Sequence, residues 1–133
     1  MTFWIRLVLF TSFLYIPAHA ASEREHQARL CLGMDQEWVL NQARGRVDCK
    51  SAEYAIEIDW VDNWHGSIGQ ALWYSWETGL KPAVILICKR GRGACRRHYG
   101  LFRKTLSEWD LPVSSWYCRE RDETLDHCEF VAR

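Results

Sequence analysis

The sequence of residues Tyr54–Trp60, YAIEIDW, constrains the fold of this chain more than any other stretch. Its strict alternation predicts a β-strand with bulky apolar side chains on one face and Ala55, Glu57 and Asp59 on the other. Such a strand belongs at the centre of a sheet, where two carboxylates without water or a cation are unfavourable. A metal ion bound by the acids is the simplest way to reconcile the two observations.

Residues 1–20 have the composition of a secretory signal peptide. Arg6 precedes an apolar run at residues 7–16, and Ala18-His19-Ala20 fits the small-x-small rule for cleavage. We therefore expect export to a bacterial periplasm or secretion, with cleavage after Ala20 and a single mature domain at residues 21–133. The alternative is an uncleaved anchor, although the apolar run is short for a membrane span. After cleavage we expect no stable membrane span.

The mature chain carries six cysteines, an even number that predicts disulfide bonds in an oxidising compartment. No CxxC pair is present, which argues against a zinc ribbon or a thioredoxin-like redox site. We expect Cys31 to pair with Cys49. The other four cysteines remain ambiguous, with a preference for the local pairs Cys88/Cys95 and Cys118/Cys128.

Helix and strand patterns alternate along the chain. Helices are predicted at residues 22–32, 63–78 and 94–109, and strands at residues 37–40, 46–50, 54–60, 83–88 and 113–118. The first three strands can form an antiparallel meander, whereas the later helical crossovers favour parallel neighbours. The sequence therefore predicts an α/β domain with a mixed sheet and helices on both faces.

The second predicted helix has an apolar stripe and a clear end. The stripe consists of Ile68, Ala71, Leu72 and Trp76, and Gly79 follows the last turn. Gln70 and Tyr74 lie four residues apart, hence on one face away from this stripe. The tail from residue 119 is charged and predicts no element.

The order of elements resembles the PD-(D/E)xK nuclease superfamily, whose restriction-endonuclease-like core is α-β-β-β-α-β. Asp48 and Glu57 lie in the second and third predicted strands, where that superfamily carries its acids. The segment QALWY at residues 70–74 is similar to the QxxxY helix motif of one exonuclease-like branch. The ordered segments RVDC, YAIEIDW, IGQALWY and KPAVILI resemble a group of small bacterial and phage proteins of uncharacterised function. The resemblance covers residues 23–118.

The resemblance implies a Mg²⁺ (or Mn²⁺) site for phosphodiester hydrolysis, because this reaction uses a hard cation with oxygen ligands. Asp48 and Glu57 would be the core ligands, together with the backbone carbonyl of Ile58. The superfamily carries a lysine two residues after the second acid, where this chain has Asp59. Asp59 can act as a third ligand, but it supplies no positive charge to the phosphate. The closest basic residues in sequence are Lys50 and His65, and His65 is better interpreted as a surface or capping histidine.

An acid from the first helix often completes the site in related nucleases. Glu25 is taken as this ligand and Glu23 is equally available; the alternative is that both simply favour the helix N-terminus. For Gln70 and Tyr74 the resemblance implies substrate contacts or organisation of the site. The alternative for this pair is ordinary interface polarity.

A basic run lies between residues 89 and 104 and contains no acid. Arg92, Arg96, Arg97 and Arg103 are candidates for binding the phosphates of nucleic acid, with a solvated helix face as the alternative. Three functions are therefore open. The first is an exported metal-dependent nuclease acting on nucleic acid, with DNA favoured. The second is an inactive nuclease-fold protein that binds nucleic acid, and the third is an unrelated disulfide-stabilised envelope interaction protein.

Overall fold

The computed structural model describes residues 21–42, 45–89, 91 and 93–133. The predicted signal peptide and Arg92 lie outside these residues. The described part of the chain contains three α-helices, which are α1 (Glu23–Leu30), α2 (Trp64–Thr78) and α3 (Cys95–Glu108). It also contains the strands β1 (Asp35–Val39), β2 (Arg46–Lys50), β3 (Tyr54–Trp60), β4 (Lys81–Cys88), β5 (Ser114–Arg119) and β6 (Glu129–Val131).

The strands form one mixed sheet in which spatial order follows sequence order from β1 to β6. β1, β2 and β3 pair antiparallel, β3, β4 and β5 pair parallel through the crossover helices, and β6 returns antiparallel to β5. The predicted α/β class and mixed sheet are confirmed. The sequence did not predict β6, because residues 119–133 are charged and lack a periodic apolar pattern.

The core lies on both faces of the sheet. Val84 and Leu86 of β4 pack towards α2 and α3, together with Phe102, while Ile85 and Ile87 pack on the α1 side. All these side chains are completely buried, which explains why β4 is a continuous apolar run. No helix in the described ranges is both long and apolar enough to cross a membrane.

Helix α2 ends as predicted at Gly79, which adopts a left-handed φ of 72°. Its buried face differs from the prediction. Trp76 is 71% exposed, whereas Tyr74 is only 6% exposed and packs against Val47 and Ala55. The apolar stripe was wrong at Trp76 because the amphipathic Tyr74, two residues earlier, supplies the contact with the sheet.

All six cysteines form disulfide bonds, Cys31–Cys49, Cys88–Cys95 and Cys118–Cys128, so the preferred pairings are confirmed. The first joins the end of α1 to β2. The second joins β4 to α3. The third closes the segment between β5 and β6.

Candidate active site

Asp48 and Glu57 meet where β2 and β3 diverge. The antiparallel register between these two strands consists of Cys49 opposite Ile56 and Lys50 opposite Ala55 within the described chain. Next to this short ladder, Oδ2 of Asp48 accepts a hydrogen bond from the backbone N–H of Ile58 at 2.9 Å. The Asp48 side chain thus accepts a hydrogen bond from a backbone N–H that would otherwise donate to the neighbouring strand. This arrangement brings the Asp48 carboxyl group to Glu57.

Glu57 is the least satisfied acid of the site. Its side chain is only 6% exposed, and Oε1 accepts a hydrogen bond from Nε2 of Gln70 at 2.7 Å. Oε2 is buried without a hydrogen-bond partner among the described residues. Burial, followed by the negative charge of Asp48, raises the pKa of Glu57 to about 9. Burial also raises the pKa of Asp48. The two carboxyl groups therefore favour a shared proton when no cation is bound.

Gln70 and Tyr74 form a polar chain that leads to Glu57. The hydroxyl of Tyr74 donates to Oε1 of Gln70 at 3.3 Å, which leaves the amide of Gln70 to donate to Glu57. Burial and the nearby acids raise the pKa of Tyr74, so the phenol remains a neutral donor. The structure thus brings together four residues that the sequence singled out, and their spacing on α2 explains why one helix supplies two of them.

Asp59 has a capping role in this structure. Its Oδ1 accepts hydrogen bonds from the backbone N–H of Trp60 at 2.7 Å and from Nδ2 of Asn63 at 3.0 Å. Its Oδ2 accepts from the hydroxyl of Ser67 at 3.3 Å. Both carboxylate oxygens are therefore engaged at the turn that begins α2. The charge of Asp59 still raises the pKa of Glu57, so it lies close to the acid pair without converging on it.

Glu23 is the acid of α1 whose pKa responds to the charges of Asp59 and Asp48, and Glu25 caps the helix. Glu25 forms a capping box, in which its carboxylate accepts from the backbone N–H of Ser22 and its own N–H donates to the Ser22 hydroxyl. For Glu23, burial and then the charges of Asp59 and Asp48 raise the pKa. Glu25 as a metal ligand stays a prediction, and its carboxylate is engaged in capping in this structure. Capping needs an acid three residues after the N-cap, and Glu25 satisfies that spacing.

Two residues that the sequence did not single out support Asp48. Gln27 is buried, and its Nε2 donates to the backbone oxygen of Asp48 at 2.8 Å and to Oε1 of Glu37 at 3.1 Å. Glu37 lies opposite Asp48 in the β1–β2 register and has a left-handed φ of 54°. A glutamate with this backbone conformation is strained, which is common beside functional sites. In the sequence, Gln27 stands out only as a polar residue on the face of α1 that is buried.

Lys89 is the cation that the structure associates with the acids. Its Nζ lies 4.2 Å from the ring centroid of Trp60, and its charge lowers the pKa of Glu23. The closest basic candidates in sequence lie elsewhere. Lys50 pairs with Asp35 at 3.2 Å, and His65 contacts the ring of Trp64.

The proposed phosphate-binding arginines are only partly available. Arg96 pairs with Glu129 at 2.9 Å and stacks on the ring of Tyr117. Arg103 lies over the ring of Tyr99, with its Nε buried and lacking a hydrogen-bond partner in the described ranges, while Arg97 is exposed. Binding of phosphates by this run stays a prediction, and Arg92 lies outside the residues described.

The donors at the pair are suited to a hard divalent cation. Carboxylate oxygens are the ligands that Mg²⁺ and Mn²⁺ prefer. Oε2 of Glu57 has no hydrogen bond in the described residues that would compete with binding a cation. The fit is incomplete, because no group of three or more His, Cys, Asp or Glu side chains in the described ranges is arranged to hold a metal ion. Asp48 and Glu57 would be the principal ligands, and the further acids whose charges act on them are Glu37 and Asp59.

No protein-family model, curated protein or solved structure matches this chain. The class that the structure defines is an α/β domain with a mixed six-stranded sheet, helices on both faces and three disulfide bonds.

Proposed function

We propose that this chain is an exported nuclease with a restriction-endonuclease-like core that hydrolyses phosphodiester bonds with the help of Mg²⁺ or Mn²⁺. The observation that carries the proposal is the buried carboxyl group of Glu57, whose Oε2 lacks a partner beside the second acid, Asp48. An acid in such a place costs stability unless a cation or a proton compensates it. A fold that needed no cation there would be more stable with an apolar residue.

The chain's own residues prepare the site in three ways. The backbone N–H of Ile58 and the amide of Gln27 fix the side chain and the backbone of Asp48. The chain from Tyr74 through Gln70 orients Glu57. When bound, a divalent cation would polarise the phosphoryl oxygen and lower the pKa of an attacking water. Lys89 would add positive charge beside Glu23, whose pKa it lowers.

Export is supported by the disulfide bonds and by the composition of residues 1–20. Three disulfide bonds in one small domain are typical of a periplasmic or extracellular protein. We propose that the mature domain acts in the bacterial periplasm or outside the cell, with nucleic acid as its substrate and DNA as the first to test.

The direct test is cleavage by the purified, oxidised protein of single-stranded DNA, duplex DNA and RNA, with Mg²⁺, with Mn²⁺ and with chelator. We expect metal-dependent cleavage that Glu57→Gln reduces by about 100-fold or more, because a neutral amide is a poor ligand for the cation. Glu53→Gln is the matched control, since Glu53 is an exposed acid paired with Lys81. Equal loss in both variants, or cleavage that persists in chelator, would contradict the proposal.

The second candidate is an inactive nuclease-fold protein that binds nucleic acid. It is favoured by Asp59, which stands where the superfamily has lysine and whose two oxygens are engaged in capping. Binding of oligonucleotides without cleavage in either metal would select this candidate. It would also predict that Glu57→Gln binds as well as the unmodified protein.

A further inference from the structure

Helix α2 presents an exposed face that borders the acid pair. Gly66, Gly69, Gln70 and Trp73 recur at spacings of three and four residues and therefore lie together on one side of the helix. All four are exposed. Gln70 belongs to the site itself, because its amide donates to Glu57 at 2.7 Å. We call Gly66, Gly69, Gln70 and Trp73 the α2 face.

Trp73 is held in a defined orientation although it is 43% exposed. Its indole N–H donates to Oε1 of Glu77 at 3.2 Å, one turn further along the helix. The indole is thereby anchored on its C-terminal side. An exposed aromatic ring in a fixed orientation loses little conformational entropy when another ring stacks on it.

The glycines leave open space on the N-terminal side of this indole. A β-carbon added to Gly66 or to Gly69 would meet nothing within 4 Å, so packing inside the domain does not explain either glycine. Glycine is also among the least favourable residues in a helix interior. Gly69 lies four residues before Trp73, and its missing side chain leaves the helix surface open one turn before the indole.

The charge of the α2 face selects the kind of group that it receives. The helix, WHGSIGQALWYSWET, contains no lysine or arginine. Asp59 contacts Ser67 of α2, and Glu77 lies on the helix beside Trp73, so a run of phosphates along this face would be repelled. A flat and neutral ring is not subject to that repulsion. Stacking on an aromatic side chain is the usual way in which proteins hold a single base.

We propose that the α2 face binds one unpaired nucleobase, stacked on Trp73 above Gly69, next to the phosphate that Asp48 and Glu57 would process. The inference rests on the proposed function and specifies its substrate as single-stranded nucleic acid or a frayed end. Gln70 joins the α2 face to the acid pair, because its amide donates to Oε1 of Glu57, a side chain only 6% exposed. A base in a continuous duplex is stacked on both sides and is not available to Trp73.

The test is binding of a fluorescently labelled single-stranded DNA oligonucleotide and of a blunt duplex, measured by anisotropy in the presence of Ca²⁺. We expect tighter binding of the single strand. Trp73→Ala should weaken this binding about tenfold, the loss typical of one stacked base, and Trp73→Phe should recover most of it. Trp76→Ala is the matched control, because Trp76 is 71% exposed on the same helix and lies further along it from Gln70 than Trp73 does.

The glycines provide a second variant that does not risk unfolding. Gly69→Gln and Gly100→Gln both place a better helix former at an exposed helical glycine with open space around it. Both should keep or raise the melting temperature. Only Gly69→Gln should weaken binding of the single strand, because its side chain would fill the space beside Trp73.

The outcomes separate this inference from the proposed function. Metal-dependent cleavage that is equal in Trp73→Ala and Trp76→Ala, or equal affinity for single strand and duplex, would overturn the inference and leave the nuclease intact. Selective loss in Trp73→Ala and Gly69→Gln would support it, with or without cleavage. Absence of any binding to either oligonucleotide would overturn the inference, while the proposed function is decided separately by cleavage of DNA and RNA with Mg²⁺ or Mn²⁺.

Discussion

The acid pair and the basic helix α3 differ in how their ionisable side chains are buried and partnered. Glu57 is almost fully buried and keeps one oxygen without a partner in the described chain, next to a second acid. Arg96 is exposed, yet it has both a carboxylate partner in Glu129 and an aromatic partner in Tyr117. A buried carboxyl group with an oxygen lacking a partner is costly, whereas an exposed charge with two partners is ordinary surface chemistry. The difference directs attention to the acids as the functional part of the molecule.

The disulfide bonds extend this comparison, because one supports each region. Cys31–Cys49 joins α1, with Glu23 and Gln27, to the strand that carries Asp48. Cys88–Cys95 joins β4 to the basic helix. If the acid pair is the functional region, only the first bond should matter for binding of a cation.

The largest effect is expected from removing these bonds. Replacing both cysteines of either bond with serine should lower the free energy of unfolding by about 2–5 kcal/mol, as for other small exported domains. Loss of Cys31–Cys49 should in addition reduce the rise in melting temperature caused by Mn²⁺, because Gln27 and Glu23 would no longer be fixed beside Asp48. Loss of Cys88–Cys95 should leave that rise unchanged. Thermal unfolding with and without Mn²⁺ makes the measurement, and equal loss of the Mn²⁺ effect in both variants would contradict it.

The second effect is a dependence of stability on pH that arises from Glu57. Its pKa is raised from the ordinary value of 4.5 in the unfolded chain to about 9 in the folded one. Between these values the folded protein keeps a proton that the unfolded chain releases. Stability is therefore fully present below the lower value and falls as the pH rises towards 9, by up to about 1.4 kcal/mol per pH unit.

Measurements between pH 7 and pH 9 isolate this effect. The pKa of His26 is lowered by burial from 6.5, so its titration lies below that window, and the raised pKa of Tyr74 lies above it. In urea unfolding, the free energy of unfolding should fall as the pH rises for the unmodified protein. It should fall much less for Glu57→Gln, since glutamine resembles the protonated acid. If the free energy of unfolding depended equally on pH in the two proteins, folding would not raise the pKa of Glu57. Stabilisation by Mn²⁺ should also be larger at pH 8.5 than at pH 6.5, because the proton must leave first.

Local patterns explain why much of the fold could be predicted from the sequence. The alternation at Tyr54–Trp60 and the continuous apolar run of β4 each reflect how many faces of the strand are buried. The order of elements and the acids Asp48 and Glu57 followed from the same patterns and from the resemblance. Strand β6 was missed because it has only three residues, with a burial pattern that is mostly exposed.

The details of the site could not be predicted because they depend on contacts between distant segments. Glu23 and Glu25 are equivalent in the sequence, and only the capping box decides which of them is engaged elsewhere. Glu37 gives no signal in the sequence, since its left-handed backbone and its contact with Gln27 arise when β1 pairs with β2. Trp76 was misplaced because period alone does not show which aromatic side chain reaches the sheet.

The smallest effect is expected at the basic helix. Arg96→Gln should change the free energy of unfolding by no more than about 1 kcal/mol, because exposed ion pairs contribute little. If the arginines of α3 contact phosphates nonetheless, Arg97→Gln, which removes an exposed charge, should reduce the salt dependence of DNA binding by about 0.9 in the log–log slope. Arg96→Gln should reduce that slope less, because Glu129 already competes for its guanidinium. An unchanged slope in both variants would leave α3 as a solvated surface and assign nucleic-acid binding to the side of the acid pair.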